Sequence, residues 1–321
     1  MDIVINCLLI VLGLALVLWG ADRLTEGASS IARHFKVPEI VIGLTIVGAG
    51  TSAPELFVSV MSALNNTPDL AVGNVVGSNI MNTLLIVGVT AMVAPMAISR
   101  STVLKDIPFS ALASLLLIVL CLDSFTSLNI SGNTISRFDG IILLLGFTLF
   151  MIYTFRVAKK SGGPEHEEQK AALPIAKCLF YILMGLAGLV FGSDTFVSSA
   201  SAVAEELGVS QGIIGLTIVA GGTSLPELAT SVVAARKGRS ALAIGNVIGS
   251  NVFNILLILG TTAVICPMQI GGITIIDMGV MFGSMLLLLL FSYTRLTVEK
   301  WEGAVLTLCY MAYAGWLFYN I

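Results

Sequence analysis

The chain has 321 residues, of which 56% are hydrophobic and 11% charged, with a formal net charge of −3 and a mean hydropathy of +0.98. Soluble domains carry about a quarter charged residues, so this composition excludes an ordinary soluble protein, makes nucleic acid an unexpected partner and indicates an integral membrane protein. Long apolar runs favour helices over a β-barrel. The fold class read from the sequence is all-α.

Hydropathy predicts ten membrane helices, near 3–31, 38–64, 70–94, 103–123, 137–157, 173–203, 210–235, 240–265, 273–294 and 300–320. The chain opens Met1-Asp2 without a basic stretch, so no cleaved signal peptide is expected. Segment 158–171 is the one clear polar linker, dividing the chain into blocks 1–157 and 172–321. Cys7, Cys121, Cys178, Cys266 and Cys309 lie in or beside apolar spans without ligand spacing and read as small hydrophobes.

Basic residues set the orientation. Arg33, Lys36, Arg100, Lys105, Arg156, Lys159, Lys160, Lys170, Lys177, Arg236, Lys237, Arg239, Arg295 and Lys300 all fall around loops that follow odd-numbered spans. The opposite side keeps Arg137, and Arg23 sits within the first span. The positive-inside rule places the odd loops in the cytoplasm and both termini outside it.

The chain also repeats itself. Gly43-Leu44-Thr45-Ile46-Val47-Gly48-Ala49-Gly50-Thr51-Ser52-Ala53-Pro54-Glu55-Leu56 returns 172 positions later as Gly215-Leu216-Thr217-Ile218-Val219-Ala220-Gly221-Gly222-Thr223-Ser224-Leu225-Pro226-Glu227-Leu228. Five spans per block is odd, so the second block enters the membrane inverted relative to the first. The loops agree: Arg33 and Lys36 correspond to Glu205 and Gly208, while Asn65 and Asp69 correspond to Lys237 and Ala241. Inverted repeats are a transporter architecture with a substrate site near the midplane.

A carboxylate inside a span is costly, by about 2.5–3.5 kcal/mol or more, and marks a functional site by default. Gly48, Gly50 and Pro54 predict a broken helix around Thr51. The plain alternative is a capping box, Ser52 with Glu55 and Ser224 with Glu227. In the next span Asn74, Ser78 and Asn82 share one helical face, as do Asn246, Ser250 and Asn254. Gly73/Gly77 and Gly245/Gly249 have the spacing that lets helices approach closely. Asn74, Asn79, Asn246 and Asn251 read equally well as interhelical hydrogen-bond glue. Every donor is oxygen, which suits a hard cation such as Ca²⁺, whereas Zn²⁺ or Cu would want His or Cys. The hydroxyls and carbonyls at Thr51, Ser52, Thr223, Ser224, Gly48 and Ala220 suit Na⁺.

The motif pair GTSAPEL…GNVVGSNIMN and GTSLPEL…GNVIGSNVFN resembles the α-repeats of the sodium/calcium exchanger (calcium/cation antiporter) superfamily, in its prokaryotic type. The resemblance implies ten transmembrane helices as two inverted-topology five-helix repeats (motifs 43–82 and 215–254) that exchange Ca²⁺ for Na⁺ by alternating access. It places the central cation ligands at Glu55, Glu227, Asn82 and Asn254. Flanking Na⁺ ligands fall on Thr51, Ser52, Ser78, Thr223, Ser224 and Ser250, with carbonyls at Gly48 and Ala220. It further implies a monomer in the cell (inner) membrane, with transported ions but no cofactor.

Asn254 stands where potassium-dependent relatives carry Asp, which argues against K⁺ co-transport. No acidic residue follows Gly73-Asn74 or Gly245-Asn246 as in proton-coupled relatives, which favours Na⁺ as driver. Segment 158–171 leaves no room for a large regulatory domain. The alternatives are Ca²⁺/H⁺ exchange, since paired buried carboxylates can bind protons, and an ion channel. An intramembrane hydrolase is unsupported: no His is buried and no G-x-S-x-G elbow occurs in a span. Asp22 and Asp194 also correspond and precede Ser- and Ala-rich helix, which suits helices that slide, or else they form ordinary salt bridges such as Asp22 with Arg23.

Overall fold

A chain crossing hydrocarbon must satisfy its backbone internally, and every long element here is a helix. The computed structural model describes residues 2–65, 68–121, 134–160, 173–208, 220–270 and 273–319. In chain order the helices are α1 (Asp2–Phe35), α2 (Glu39–Thr51), α3 (Ala53–Leu64), α4 (Leu70–Val93), α5 (Thr102–Leu120), α6 (Arg137–Lys160) and α7 (Ile175–Glu206). There follow α8 (Ala220–Thr223), α9 (Leu225–Arg236), α10 (Ser240–Ile265), α11 (Ile275–Arg295) and α12 (Lys300–Tyr319).

The predicted count of ten spans is not reached among the described residues. Seven described helices (α1, α4, α5, α6, α7, α10 and α11) are long and apolar enough to cross a membrane, and α2–α3 makes an eighth if counted across its 45° bend. α12 has 20 residues but, carrying Glu302 and several Trp and Tyr, does not reach their apolarity. Much of the predicted span 210–235 lies outside the described residues, as does most of the linker. α1 continues past 31 to Phe35 and stops where Lys36 takes a left-handed φ of +53° and Pro38 follows. α6 runs on to Lys160.

The centre is built from the two helices that carry the Asn-rich motifs. The most apolar window of α10 is 94% buried and that of α4 78%, against 17% for α1. α2 crosses α10 at glycines: a Cβ on Gly245 would sit 2.8 Å from the Ile40 carbonyl oxygen, and one on Gly249 would sit 2.9 Å from Leu44 Cα. The G-x-x-x-G expectation therefore holds for this pair. α5 lies against α11, α6 against α10, and α12 against α4.

α1 and α7 form a separate antiparallel pair. Gly13, Gly20 and Gly27 recur every seven residues and meet Gly192, Gly185 and Cys178 in reverse order, backbone against backbone. Two short antiparallel ladders close the loops: β1 (Met96–Ala97) pairs with β4 (Thr297–Val298), and β2 (Thr134–Ile135) with β3 (Met268–Gln269).

Candidate functional site

The break predicted in the first motif falls at Ser52, whose φ of −84° and ψ of 7° leave the helical region before α3 restarts with Pro54 in its first turn. α9 restarts alike after Ser224 (φ −93°, ψ 5°), with Pro226. Proline is tolerated there because a first-turn N–H has no intrahelical partner. The capping boxes do not form: neither serine side chain caps its own helix. Instead Ser52 Oγ donates to Glu227 Oε1 of the other repeat at 3.2 Å. The hydroxyl proton goes to a strong acceptor of the opposite half, and the oxygen does not accept from the N–H groups of its own helix.

Glu55 and Glu227 are 1% and 0% exposed and lie on the first turns of α3 and α9. The Ser224 hydroxyl lies beside the Glu55 carboxyl, outside hydrogen-bond geometry. Ser250 Oγ is 3.5 Å from Glu227 Oε1 and 3.4 Å from Thr51 Oγ1. Thr51 Oγ1 also reaches Asn246 Oδ1 at 3.1 Å, the Val47 carbonyl at 3.1 Å and the Gly48 carbonyl at 3.4 Å. One hydroxyl proton cannot serve all of these oxygens, so lone pairs face one another. Gly48 lies against Gly249 and Ser250 of α10. Ser78 is buried, Thr223 is half-buried and Ala220 opens α8.

Asn82 and Asn254 sit in matching π turns, Met81–Ile86 of α4 and Phe253–Leu259 of α10. Such turns interrupt the regular ladder and gather at functional sites. Glu55 Oε2, Glu227 Oε2, Asn82 Oδ1 and both amide atoms of Asn254 are buried without a hydrogen-bond partner among the described residues. Each such group costs about 1–3 kcal/mol if left unmet. All but one are oxygens, whose free lone pairs a bound cation could take up. No group of three or more His, Cys, Asp or Glu that could hold a metal occurs among the described residues; the unpartnered oxygens belong to two carboxylates and two amides.

Asn74 and Asn246 turn out to bind protein. Asn74 Nδ2 donates to the Glu55 carbonyl (3.3 Å) and Ser59 Oγ (3.1 Å); Asn246 Nδ2 donates to the Glu227 carbonyl (3.4 Å) and Ser231 Oγ (3.0 Å). They fasten the first turn of each restarted helix, the glue reading. Ser59 and Ser231 were overlooked in the sequence, although they too are 172 residues apart. Asp22 takes the ordinary salt-bridge reading, pairing with Arg23 at 2.9 Å and Lys237 at 2.6 Å. Asp194 is exposed.

The profile of the family described as "Sodium/calcium exchanger protein" matches residues 5–156 and 177–319. The putative antiporter CaxA of Alkalimonas amylolytica is 39% identical over 96% of this chain and 97% of its own. The sodium/calcium exchanger MaX1 of Methanosarcina acetivorans is 34% identical over 99% of each. A solved structure of the sodium-calcium exchanger NCX_Mj, soaked with zero Na⁺ and Ca²⁺, superposes with a TM-score of 0.81 at 30% identity, covering 98% of this chain and 99% of that one. On these matches and its apolar helices, the chain belongs to the sodium/calcium exchanger family of membrane-embedded cation antiporters.

Proposed function

We propose that the chain exchanges Ca²⁺ for Na⁺ by alternating access at one site near the membrane midplane, formed where two inverted five-helix repeats meet. The observation that carries this reading is the bond from Ser52 of one motif copy to Glu227 of the other. It joins the hydroxyl three residues before Glu55 in one copy to the buried carboxylate of the other, which supports a site shared by both repeats. Two carboxylates match the charge of Ca²⁺, which takes six to eight flexible oxygens at about 2.3–2.6 Å. The ligands are Glu55, Glu227, Asn82 and Asn254, flanked for Na⁺ by Thr51, Ser52, Ser78, Thr223, Ser224 and Ser250 and by the carbonyls of Gly48 and Ala220.

The repeats are 1–157 and 172–321, with the odd loops cytoplasmic, both termini outside and the chain a monomer in the cell membrane. The ladders support this arrangement. β1 and β4 join the loops after spans three and nine, β2 and β3 those after spans four and eight, so each ladder links loops assigned to the same side. β1 and β3 also stand 172 residues apart.

Isotopic Ca²⁺ flux in proteoliposomes tests the reading, with Na⁺, K⁺ and H⁺ gradients imposed separately. A Na⁺ gradient alone is expected to drive saturable uptake. Uptake driven equally by a pH gradient would replace Na⁺ with H⁺ as the coupled ion, and single-channel currents would overturn antiport.

A further inference from the structure

Beside the cluster lies a second buried polar chain that the exchange reading leaves unused. It runs from α4 to α10 and on to α11. Asn82 Nδ2 donates to Asn251 Oδ1 at 3.1 Å, and Asn251 Nδ2 donates to Thr83 Oγ1 at 2.8 Å. Thr83 Oγ1 in turn donates to the Asn79 carbonyl at 3.0 Å. Asn82, Thr83 and Asn251 are each 2% exposed or less, so water does not compete.

The polarity of this chain is set from one end. A backbone carbonyl only accepts, so the single Thr83 hydroxyl proton goes to Asn79. Thr83 Oγ1 must then receive from its neighbour, which turns the Asn251 amide NH₂ toward it and the Asn251 oxygen toward Asn82. Asn82 answers with its own NH₂, and its Oδ1 is left pointing elsewhere, buried and without a partner among the described residues. The Met285 sulfur, 3.4 Å from Thr83 Oγ1 and 3.5 Å from Asn251 Nδ2, is a weaker acceptor than the carbonyl and does not reverse the order. It takes the second Asn251 amide proton.

We propose that Thr83 and Asn251 are positioning residues: they fix the flip of the Asn82 carboxamide so that its oxygen, and not its NH₂, faces the transported cation. This rests on the reading of Asn82 as a cation ligand. A carboxamide otherwise has two near-isosteric orientations, one of which points donor hydrogens at a positive ion. The device is one-sided. The residue 172 positions after Thr83 is Ile255, which offers Asn79 no hydroxyl, so Asn254 has no matching anchor.

The test measures Na⁺-driven Ca²⁺ uptake by the full chain in proteoliposomes, separating apparent KM from maximal rate. Thr83→Val is expected to raise the KM for Ca²⁺ about five- to tenfold, the worth of one neutral hydrogen bond, with maximal rate within about twofold. Thr83→Ser, which keeps the hydroxyl, should restore the original KM. Asn82→Asp presents an oxygen either way round, so adding Thr83→Val to it should change KM by less than about twofold. A Thr83→Val penalty that persists in the Asn82→Asp background would make Thr83 a packing residue and overturn the proposal. So would an unchanged KM in Thr83→Val while Asn82→Leu weakens Ca²⁺. An unchanged KM in Asn82→Leu would instead remove the ligand reading itself. If Val is not accommodated, Thr83→Ala carries the same comparison.

Discussion

The crossing of α2 and α10 sets the geometry of the cluster, and Gly249→Ala probes it with one methyl. A Cβ at that position would lie 2.9 Å from both Cα and the carbonyl oxygen of Leu44. Both are backbone atoms, so no rotamer change relieves the contact. Restoring ordinary van der Waals distance separates the helices by about half an ångström, and overpacking of this kind costs about 1–3 kcal/mol. The same displacement, applied to Thr51–Asn246 at 3.1 Å and Thr51–Ser250 at 3.4 Å, carries both past hydrogen-bond range. Misplacement of positioned groups by about 1 Å can lower a rate about 100-fold, so half of that should cost about tenfold. Reconstituted protein is compared at matched incorporation by initial Ca²⁺ uptake. Gly283→Ala is the control, since nothing lies within 4 Å of its Cβ position, and it should exchange normally. Uptake by Gly249→Ala equal to that of the control would refute the idea that this crossing sets the site.

Three other perturbations bear on separate parts. Glu55→Gln and Glu227→Gln keep shape but remove one charge each from the buried cluster; with a buried charge partner worth about 3–5 kcal/mol, Ca²⁺ affinity should fall at least 100-fold. Normal exchange by both variants, with membrane expression intact, would remove the pair from the site. Asn254→Asp adds a charge and is expected to shift preference among Na⁺, K⁺ and Ca²⁺ without lowering thermal stability, and an unchanged selectivity profile counts against its place among the ligands. Asp22 and Lys237 form a short pair, yet their side chains are 35% and 31% exposed. Solvent screening holds such a pair to about 1 kcal/mol or less, so a double-mutant cycle on melting should show little coupling, and a larger value would mean that burial there is deeper than the static structure has it.

The sequence disclosed what depends on local chemistry and on duplication. Gly48, Pro54 and the 172-residue repeat located the helix breaks and the carboxylates, because a proline or an intramembrane charge has few structural meanings. It misjudged what depends on the partner half. Ser52 and Glu55 fit a capping box locally, and only the approach of α9 offers the Ser52 hydroxyl a carboxylate to donate to. The π turns around Asn82 and Asn254 are invisible to hydropathy, since an extra residue in one turn leaves the apolar pattern nearly intact. Thr83 carried no signal, and Asn251 read equally well as glue or ligand: their order follows from a single hydroxyl proton.

The seven-residue spacing of Gly13, Gly20 and Gly27 went unread in the sequence, and the seam it builds between α1 and α7 emerged only in the structure. Backbone-to-backbone contact along both helices makes the pair one stiff body, since packed backbones have no rotamers through which to yield. The rest of the molecule is tied to it by packing of α1 on α9 and by polar contacts: Lys237 Nζ donates to the Asp22 carbonyl at 3.3 Å and Arg239 to the Thr25 carbonyl at 2.9 Å. The seam, and not these polar contacts at its rim, holds the two helices to each other. Gly20→Leu should therefore do more harm than any change at the rim: a Cβ there already meets the Gly185 carbonyl at 2.7 Å, so splitting the seam is expected to lower membrane yield sharply. Lys237→Met should leave yield unchanged. Equal yields from the two variants would mean that the seam is not what holds the pair together.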